Sequence, residues 1–208
     1  MVQVLAAPVV GYLLGAIPTG ALVARLYRRV DLTRVGSQRT GATNVLRTLG
    51  PGAAAVVFLG DFFKGTAAVV LGSALAGGDP WAMALAGMAA VFGHAYSPFI
   101  GFRGGRGVTT GLGGLLAIAP GVAALGFLVG AVTIATTRYV SLGSLLGTSA
   151  AALALIVWSL ASGHSAAYVV FAVVVAGFIV IAHRDNIERL RRGTERRLGE
   201  RAETETGR

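Results

Sequence analysis

The sequence contains no cysteine, and charged side chains are scarce in it. The absence of cysteine excludes disulfide bonds, thiolate nucleophiles and cysteine-ligated metals. Charged residues make up only 13% of the 208 residues, whereas soluble domains carry about 25%. The net charge of +9 lies at the edges of apolar segments, which favours membrane orientation or anionic ligands over nucleic acid as its explanation.

Long apolar segments fill most of the chain and predict an all-α integral membrane protein. Hydrophobic residues make up 54% of the sequence, and the mean hydropathy is +0.71. The first segment would be roughly 35 Å long as a helix, enough to cross a bilayer, and Pro18 is expected to kink it. The 31 glycines favour close helix packing in lipid. The apolar segments are residues 2–24, 51–77, 80–100, 108–136, 145–161 and 165–182.

The positions of the arginines decide how often the segment 108–136, with Pro120 in its middle, crosses the membrane. Arginines concentrate in cytoplasmic loops. A single crossing would place Arg138 and the arginine-rich tail outside, whereas a break at Pro120 and two crossings return both to the cytoplasmic side. We therefore predict about seven transmembrane helices, with the N-terminus outside and the C-terminus cytoplasmic. Residues 1–199 are expected to form a single membrane domain, and residues 200–208 a flexible cytoplasmic tail.

A short cationic glycine loop, Arg103-Gly104-Gly105-Arg106-Gly107, separates two of these segments. Glycines let backbone N–H groups turn toward a ligand without steric cost, and a helix that begins after the loop adds its positive dipole end. The two guanidiniums offer forked donors that fit phosphate oxygens. The loop predicts a phosphate-binding site, with equal weight given to a positive loop that only sets membrane orientation.

This loop belongs to one of three polar clusters that the predicted topology places on one side of the membrane. The first cluster is residues 36–47, the second is 101–111 and the third is 183–195; each has glycine or asparagine beside arginine. The first cluster is either a second anion site or a solvated loop in which Thr43 or Asn44 caps a helix.

Asp61 and Lys64 lie three residues apart within a predicted membrane span. This spacing places both side chains on one face of a helix. Because charges inside a membrane are costly and usually paired, a structural ion pair is favoured over direct contact with a substrate. His94, at the end of the next span, is more simply explained as a hydrogen-bonded packing residue than as a catalyst.

Several common catalytic motifs are missing. The sequence shows no Ser-His-Asp arrangement with assignable roles, no His-Glu-x-x-His metal motif and no Walker phosphate loop. The His-x4-Asp box of many membrane acyltransferases is also absent, because neither His94 nor His183 is followed by aspartate five positions later.

Together the three clusters resemble the bacterial membrane family of acyl-phosphate:glycerol-3-phosphate acyltransferases. The resemblance covers nearly the whole chain, and the combination of motifs is specific. In the first cluster it rests on Gly36-Ser37 and Gly41-Ala42-Thr43-Asn44-Val45-Leu46-Arg47. Around the second it rests on Gly93-His94, Pro98-Phe99, Thr110 and Gly101-Phe102-Arg103-Gly104-Gly105-Arg106-Gly107-Val108. In the third it rests on His183-Arg184-Asp185-Asn186-Ile187-Glu188-Arg189-Leu190 and Gly193-Thr194-Glu195. Asp61-Phe62-Phe63-Lys64-Gly65 and Tyr139-Val140-Ser141-Leu142-Gly143-Ser144 match in kind and order.

The resemblance implies a seven-helix enzyme of the bacterial inner membrane whose active site faces the cytoplasm. Such an enzyme moves a fatty acyl group from acyl-phosphate to the 1-hydroxyl of glycerol-3-phosphate and yields lysophosphatidic acid for phospholipid synthesis. It uses no cofactor and no metal, and neither acyl-CoA nor acyl-carrier protein. Its implied partners are the two substrates and membrane lipids, with no nucleic acid.

The resemblance and the chemistry of two phosphate-bearing substrates together suggest site residues. Arg47 and Arg106 are expected to bind phosphate, and His183 to orient a phosphate or to accept the hydroxyl proton. His183 is alternatively an interfacial residue at a helix end. The predicted catalytic residues are Ser37, Arg47, Arg106, His183 and Asn186. The predicted substrate-binding residues are Gly36, Thr43, Asn44, Arg103, Gly104, Gly105, Gly107 and Ser144.

The chain departs from the pattern of the family it resembles at two places. Gln38 and Arg39 stand where the first motif usually has glycine and asparagine, and Arg103 and Arg106 stand where the second usually has lysine. These departures keep open a shifted acceptor, or a weakly active or non-catalytic lipid-binding relative. A small anion transporter is the alternative from another class, although the polar clusters gather at one side rather than at the midplane.

Overall fold

The computed structural model describes residues 2–200, and within that range the chain is all helical. It forms ten α-helices there, with a single 3-10 turn at Pro98–Ile100. The helices are α1 (Val2–Ala16), α2 (Thr19–Arg28), α3 (Ala42–Leu49), α4 (Pro51–Leu75), α5 (Pro80–Ala95), α6 (Val108–Ile118), α7 (Pro120–Thr137), α8 (Val140–Ala161), α9 (Ala166–Ala182) and α10 (Arg184–Arg191). Nearly all of the predicted flexible tail, residues 201–208, lies outside the described residues.

Prolines mark two helix breaks that the sequence predicts. The first apolar segment is interrupted at Ile17 and Pro18, between α1 and α2. The segment 108–136 breaks at Ala119, and Pro120 is the first residue of α7. Proline removes a backbone donor and clashes with the preceding turn, but its fixed φ suits a helix start. The interpretation of this segment as two helices is confirmed.

The structure confirms a multi-pass membrane architecture and provides five or six helices of spanning length. Five stretches qualify by length and hydropathy, with α1 and α2 counted together, and α9 joins them if it is counted with α10, to which it is bent by 58°. Only 11% of the apolar window of α7 is buried within the protein, so its outer face is suited to lipid. The helix α6 is apolar but has 11 residues, a length of about 16 Å against a hydrocarbon core of about 30 Å.

Two predicted boundaries are wrong. The helix α8 begins at Val140 rather than at residue 145, so Ser144 lies on a helix and not in a connection. It can begin there because Arg138, at φ 63°, ends α7 in a left-handed conformation and nothing after Tyr139 breaks a helix. The helix α3 begins at Ala42 with Gly41 as its N-cap and no side-chain cap, so neither Thr43 nor Asn44 is a capping residue.

Small residues bring the helices into close backbone contact, as the glycine content predicts. A side chain at Gly15 of α1 would collide with the backbone of Ala90 in α5. Gly126 of α7 and Gly147 of α8 face each other in the same way. The main hydrophobic core lies where α5, α6, α8 and α9 meet. The polar clusters lie at the edge of these packed helices.

Candidate active site

One cavity of about 350 Å³ is lined by residues of all three polar clusters. Its polar part is lined by Ser37, Arg39, Thr43, Asn44, Arg47, Asp61, His94, Gly105, Arg106, Gly107, Ser141, Ser144, His183, Asn186, Arg189, Glu195 and Arg196. It continues between α7, α8 and α9, where apolar side chains line it, among them Phe127, Ile134, Leu155, Phe171 and Val175. Polar groups from distant parts of the sequence therefore meet beside an apolar channel.

The glycine loop of the second cluster is held against the end of α5. Gly104 N–H donates to the Ala95 carbonyl oxygen at 2.9 Å, and Gly105 N–H donates to the His94 carbonyl oxygen at 3.2 Å. A Cβ at Gly104 would overlap the His94 carbonyl oxygen, and a Cβ at Gly105 would overlap the His94 ring. Only glycine permits this close approach, so the loop has a fixed position beside the cavity.

Arg106 carries a partly buried positive charge at the cavity. Its Nε donates to the Ala182 carbonyl oxygen at 3.2 Å, at the end of α9. Burial, together with the neighbouring charges of Arg39 and Arg189, lowers the pKa of Arg106 to about 10. The guanidinium is still protonated near neutral pH, and within residues 2–200 it makes no ion pair. It is therefore available to an anionic ligand.

Asn44 organises the first cluster from inside. Its Oδ1 accepts from Ser37 N–H at 3.1 Å, and its Nδ2 donates to the carbonyl oxygens of Val35 at 3.0 Å and Arg39 at 2.8 Å. The residue is 2% exposed. These bonds satisfy both ends of the amide and fix the loop that leads into α3, so Asn44 supports the site while its neighbours Ser37 and Thr43 line it.

Arg47, on α3, presents a second partly buried guanidinium to the cavity. Its Nη2 donates to the Arg196 carbonyl oxygen at 3.3 Å. Its Nε is buried and has no hydrogen-bond partner in the part of the chain that the structure describes. Burial lowers the pKa of Arg47, with the charge of Arg196 acting in the same direction. Because an unsatisfied charged donor is costly, this group is suited to a phosphate oxygen.

His183 is a neutral imidazole held in one tautomer. It follows the last residue of α9, and its Nδ1 lies 2.8 Å from the Ile179 carbonyl oxygen, a contact that requires Nδ1 to donate. Nε2 then carries the free lone pair. Burial, with a smaller effect from the charge of Arg106, lowers the pKa of His183 to about 4 although the bond to the Ile179 carbonyl opposes the shift.

Glu195 connects the third cluster to α8. Its carboxylate accepts from Ser141 Oγ at 2.9 Å, Asn186 Nδ2 at 2.7 Å and Arg189 Nε at 2.7 Å. Burial raises the pKa of Glu195, but these hydrogen bonds outweigh burial and the pKa is lowered overall. The Asn186 Oδ1 is buried and has no partner within residues 2–200. Glu195 thus fixes Asn186 so that its amide oxygen is left for a ligand.

Most of the predicted site residues come together, but three do not line the cavity. Gly36 and Gly104 lie behind it, and Arg103 is exposed. The sequence-based selection omitted Glu195, although it lies in the third motif, and it treated Arg39 only as a departure from a family pattern. Carboxylates beside arginines in that motif were the signal for Glu195.

Asp61 and Lys64 form the predicted ion pair, with Lys64 Nζ 2.7 Å from Asp61 Oδ1. Lys64 Nζ also donates to the Ile17 carbonyl oxygen at 2.9 Å, at the break before α2. His94 Nδ1 lies 3.4 Å from the same Asp61 oxygen. The carboxylate and the ammonium are both buried. This group connects α4 to the α1–α2 break and to the base of the glycine loop.

Known proteins share this architecture over nearly the whole chain. The family described as Glycerol-3-phosphate acyltransferase matches residues 5–193. A Glycerol-3-phosphate acyltransferase of Synechococcus sp. (strain JA-3-3Ab) is 50% identical over 190 residues, 91% of each chain. The crystal structure of PlsY (YgiH), an integral membrane glycerol 3-phosphate acyltransferase, in its glycerol 3-phosphate form has a TM-score of 0.86 at 40% identity. That match covers 94% of this chain and 96% of the other. The lysophosphatidic acid form of PlsY gives 0.84 at 38% identity, covering 94% and 95%. The resemblance drawn from the three clusters is thus confirmed, and this chain belongs to the glycerol-3-phosphate acyltransferase family.

Proposed function

We propose that this protein transfers a fatty acyl group from acyl-phosphate to the 1-hydroxyl of glycerol-3-phosphate, giving lysophosphatidic acid and inorganic phosphate. The observation that carries the proposal is the cavity, in which partly buried guanidiniums without carboxylate partners among residues 2–200 adjoin an apolar channel. Family membership supports it, as do the glycerol 3-phosphate and lysophosphatidic acid forms of PlsY. The choice of acyl-phosphate as donor rests on the resemblance of the motifs.

The polar part of the cavity suits two phosphates at once. Each phosphate group carries a charge of about −1.5 to −2 at neutral pH. Arg47 and Arg106 contribute charged donors, and the buried Asn186 oxygen and Ser37 contribute neutral hydrogen bonds. Arg189 also lines the cavity, but its Nε is held by Glu195. We assign phosphate binding to Arg47 and Arg106 first.

The apolar part suits the acyl chain. Its walls come from α7, α8 and α9, which also form the lipid-facing surface of the protein. An acyl chain placed there leaves its carbonyl carbon at the polar end, close to the guanidiniums.

The reaction proceeds in one step within a ternary complex. The 1-hydroxyl oxygen of glycerol-3-phosphate attacks the acyl carbonyl carbon, and the bond from that carbon to the phosphate oxygen breaks. The hydroxyl proton passes to a phosphate oxygen or to Nε2 of His183 and leaves with the inorganic phosphate. Positioning supplies much of the acceleration because the donor is already activated. Within residues 2–200 no hydrogen bond joins Ser37 Oγ to a base, which argues against an acyl-serine.

The proposed orientation places the N-terminus outside, the C-terminus in the cytoplasm of a bacterium, and the active site at the cytoplasmic face of the inner membrane. All loop and tail arginines then lie on one side. The count of seven crossings includes α6. Its 11 residues are too few to cross the membrane alone, so the Arg106 loop and the Ala119 connection complete this crossing. Reporter fusions at both ends test this proposal; reporters on one side of the membrane would require an even number of crossings.

Purified protein in detergent, given acyl-phosphate and glycerol-3-phosphate, tests the reaction. We expect lysophosphatidic acid and phosphate in equal amounts, no product with acyl-CoA as donor, and sequential kinetics in both substrates. Mass spectrometry of protein given acyl-phosphate alone should show no adduct. Ping-pong kinetics with an acyl group on Ser37 would contradict the one-step mechanism. Glycerol-3-phosphate flux in proteoliposomes without any transfer would instead support a transporter.

A further inference from the structure

Arg39 lies at the cavity although it was not among the predicted site residues. Its backbone position is fixed, because its carbonyl oxygen accepts from the Asn44 amide at 2.8 Å. Its side chain is partly exposed and lines the same cavity as Arg47 and Arg106. Within residues 2–200 that side chain makes neither an ion pair nor a hydrogen bond. Arg39 thus adds a further cation, on a fixed backbone, to a cavity that Arg47, Arg106 and Arg196 also line.

The charge of Arg39 reaches the groups at the centre of the site. It lowers the pKa of Arg106, after the larger effect of burial, and it also contributes to the lowered pKa of His183. Arg34, only five residues earlier, behaves differently. Its side chain is 84% exposed, pairs with Asp31 at 3.4 Å and lies outside the cavity lining. Proximity in sequence therefore does not explain the position of Arg39.

Four guanidiniums line this cavity without an ion pair among residues 2–200, those of Arg39, Arg47, Arg106 and Arg196, and they repel one another in the absence of a ligand. The carboxylates that line the same cavity do not compensate for them, since Asp61 is paired with Lys64 and Glu195 with Arg189. Two phosphates bring a combined charge of about −3 to −4, which the guanidiniums of Arg47 and Arg106 alone do not balance. Because an arginine side chain is long and flexible, its guanidinium can reach a phosphate from the loop, whereas a short side chain cannot.

We propose that Arg39 is a third phosphate-binding guanidinium of this site and sets the affinity for a phosphate-bearing substrate. The inference rests on the proposed function in that the phosphate belongs to glycerol-3-phosphate or to the acyl-phosphate donor. The asparagine of the family pattern at this position would be too short and uncharged to make the same contact. Arg39 thus adds to the site a charge that the family motif does not specify.

Steady-state kinetics of Arg39→Asn, Arg39→Lys and Arg34→Asn test the role of Arg39. A charge-assisted hydrogen bond corresponds to roughly 1.5–3 kcal/mol, or about a 10- to 100-fold change in binding. We expect Arg39→Asn to raise the KM of one substrate about 10-fold or more, with kcat within threefold. The substrate whose KM rises identifies the bound phosphate. Arg39→Lys should retain an intermediate KM, and Arg34→Asn should match the wild type. Unchanged KM values for both substrates, or a loss confined to kcat, would overturn the proposal.

Thermal unfolding in inorganic phosphate separates this inference from the proposed reaction, because it needs no turnover. We expect phosphate to raise the unfolding midpoint of the wild type and of Arg34→Asn equally, and to raise that of Arg39→Asn by less than half as much. An equal phosphate-induced shift in all three proteins would overturn the role of Arg39. Absence of acyl transfer in the wild type, with the difference in shift intact, would overturn the proposed function alone. If Arg39→Asn fails to fold, Arg39→Gln replaces it in both assays with the same expected outcomes.

Discussion

Two groups of ionisable side chains in this protein are arranged in opposite ways, one fully buried and the other partly buried around a cavity. In the first, Asp61 contacts both Lys64 and His94, and the Lys64 ammonium also binds a backbone carbonyl. In the second, Arg39, Arg47 and Arg106 line a cavity without a carboxylate partner among residues 2–200. Asp61 and Lys64 neutralise each other within the protein, whereas under the proposed function an anionic substrate neutralises the second group. The comparison therefore separates charges that stabilise the fold from charges that we propose bind a ligand.

The two groups are connected through the glycine loop. His94 contributes its carbonyl oxygen to Gly105 N–H and its ring to the floor under Gly105, and Arg106 follows directly. The paired charges therefore form part of the support beneath an unpaired one. Substitutions should nevertheless separate the two groups, because loss of a paired charge leaves a buried partner behind whereas loss of an unpaired charge does not.

The largest effect is expected on stability, from Asp61→Ala or Lys64→Ala. Each substitution leaves the opposite charge buried without its partner, which costs about 3–5 kcal/mol. The double variant should lose clearly less than the sum of the two single losses, because both charges leave together. Unfolding in detergent followed by circular dichroism measures this, with Leu59→Ala on the exposed face of α4 as the control. Strictly additive losses would mean that the two charges are not coupled.

The next largest effect is expected on catalysis, from Arg106→Ala. Removal of one fixed donor that stabilises developing charge costs about 10²- to 10³-fold in rate. The fold should survive, because no carboxylate in the described chain loses its partner when Arg106 is removed. Kinetics together with the unfolding midpoint measure both parts, and Arg28→Ala on α2 is the charge-matched control. If the folded Arg106→Ala protein has wild-type kinetics, the glycine loop serves only to set membrane orientation.

A smaller effect concerns pH and His183. Its folded pKa of about 4 lies below the ordinary value of 6.5, so the unfolded chain binds the proton first as pH falls. Stability contributed by the neutral ring is thus complete above about pH 6.5 and decreases as pH falls toward 4. Activity between pH 5.5 and 8 should not depend on titration of His183, and pH–rate profiles of His183→Gln and the wild type should have the same shape. An inflection near pH 6.5 that the variant lacks would show that His183 titrates in the working range.

The sequence predicted those parts of the fold and site that depend on local chemistry. Pro18 and Pro120 break helices wherever they occur in a helical segment, and the spacing of Asp61 and Lys64 defines a pair on any helix. Parts that depend on tertiary contacts were missed. Glu195 acts through residues of α8 and α10, and its partner Ser141 had been placed in a connection rather than on a helix.

Asn44 shows the same limit at a single residue. Its type and position suggested a helix cap, but its amide instead bonds to loop residues five to nine positions earlier, which local propensity does not specify. The roles assigned to Ser37, Arg47 and His183, like the membrane orientation, stay predictions until they are measured.

The smallest expected effect is on stability and concerns backbone strain, in which the surroundings of the two groups differ. Gln38, next to Arg39, has a φ of 56° and is exposed, whereas Asp61 and Lys64 lie within a regular helix. A left-handed conformation costs an L-residue roughly 1–2 kcal/mol, and glycine avoids that cost but loses about 0.5–1 kcal/mol more entropy on folding. Gln38→Gly should therefore stabilise the protein by up to about 1 kcal/mol and keep the turn, whose bond from Gln38 N–H to the Val35 carbonyl oxygen at 3.1 Å needs no side chain. Gln38→Ala keeps the strain and should match the wild type in the same unfolding assay. If Gln38→Gly is less stable than Gln38→Ala, the loop beside Arg39 is not strained. The unpaired Arg39 would then lie on a loop whose backbone conformation is relaxed.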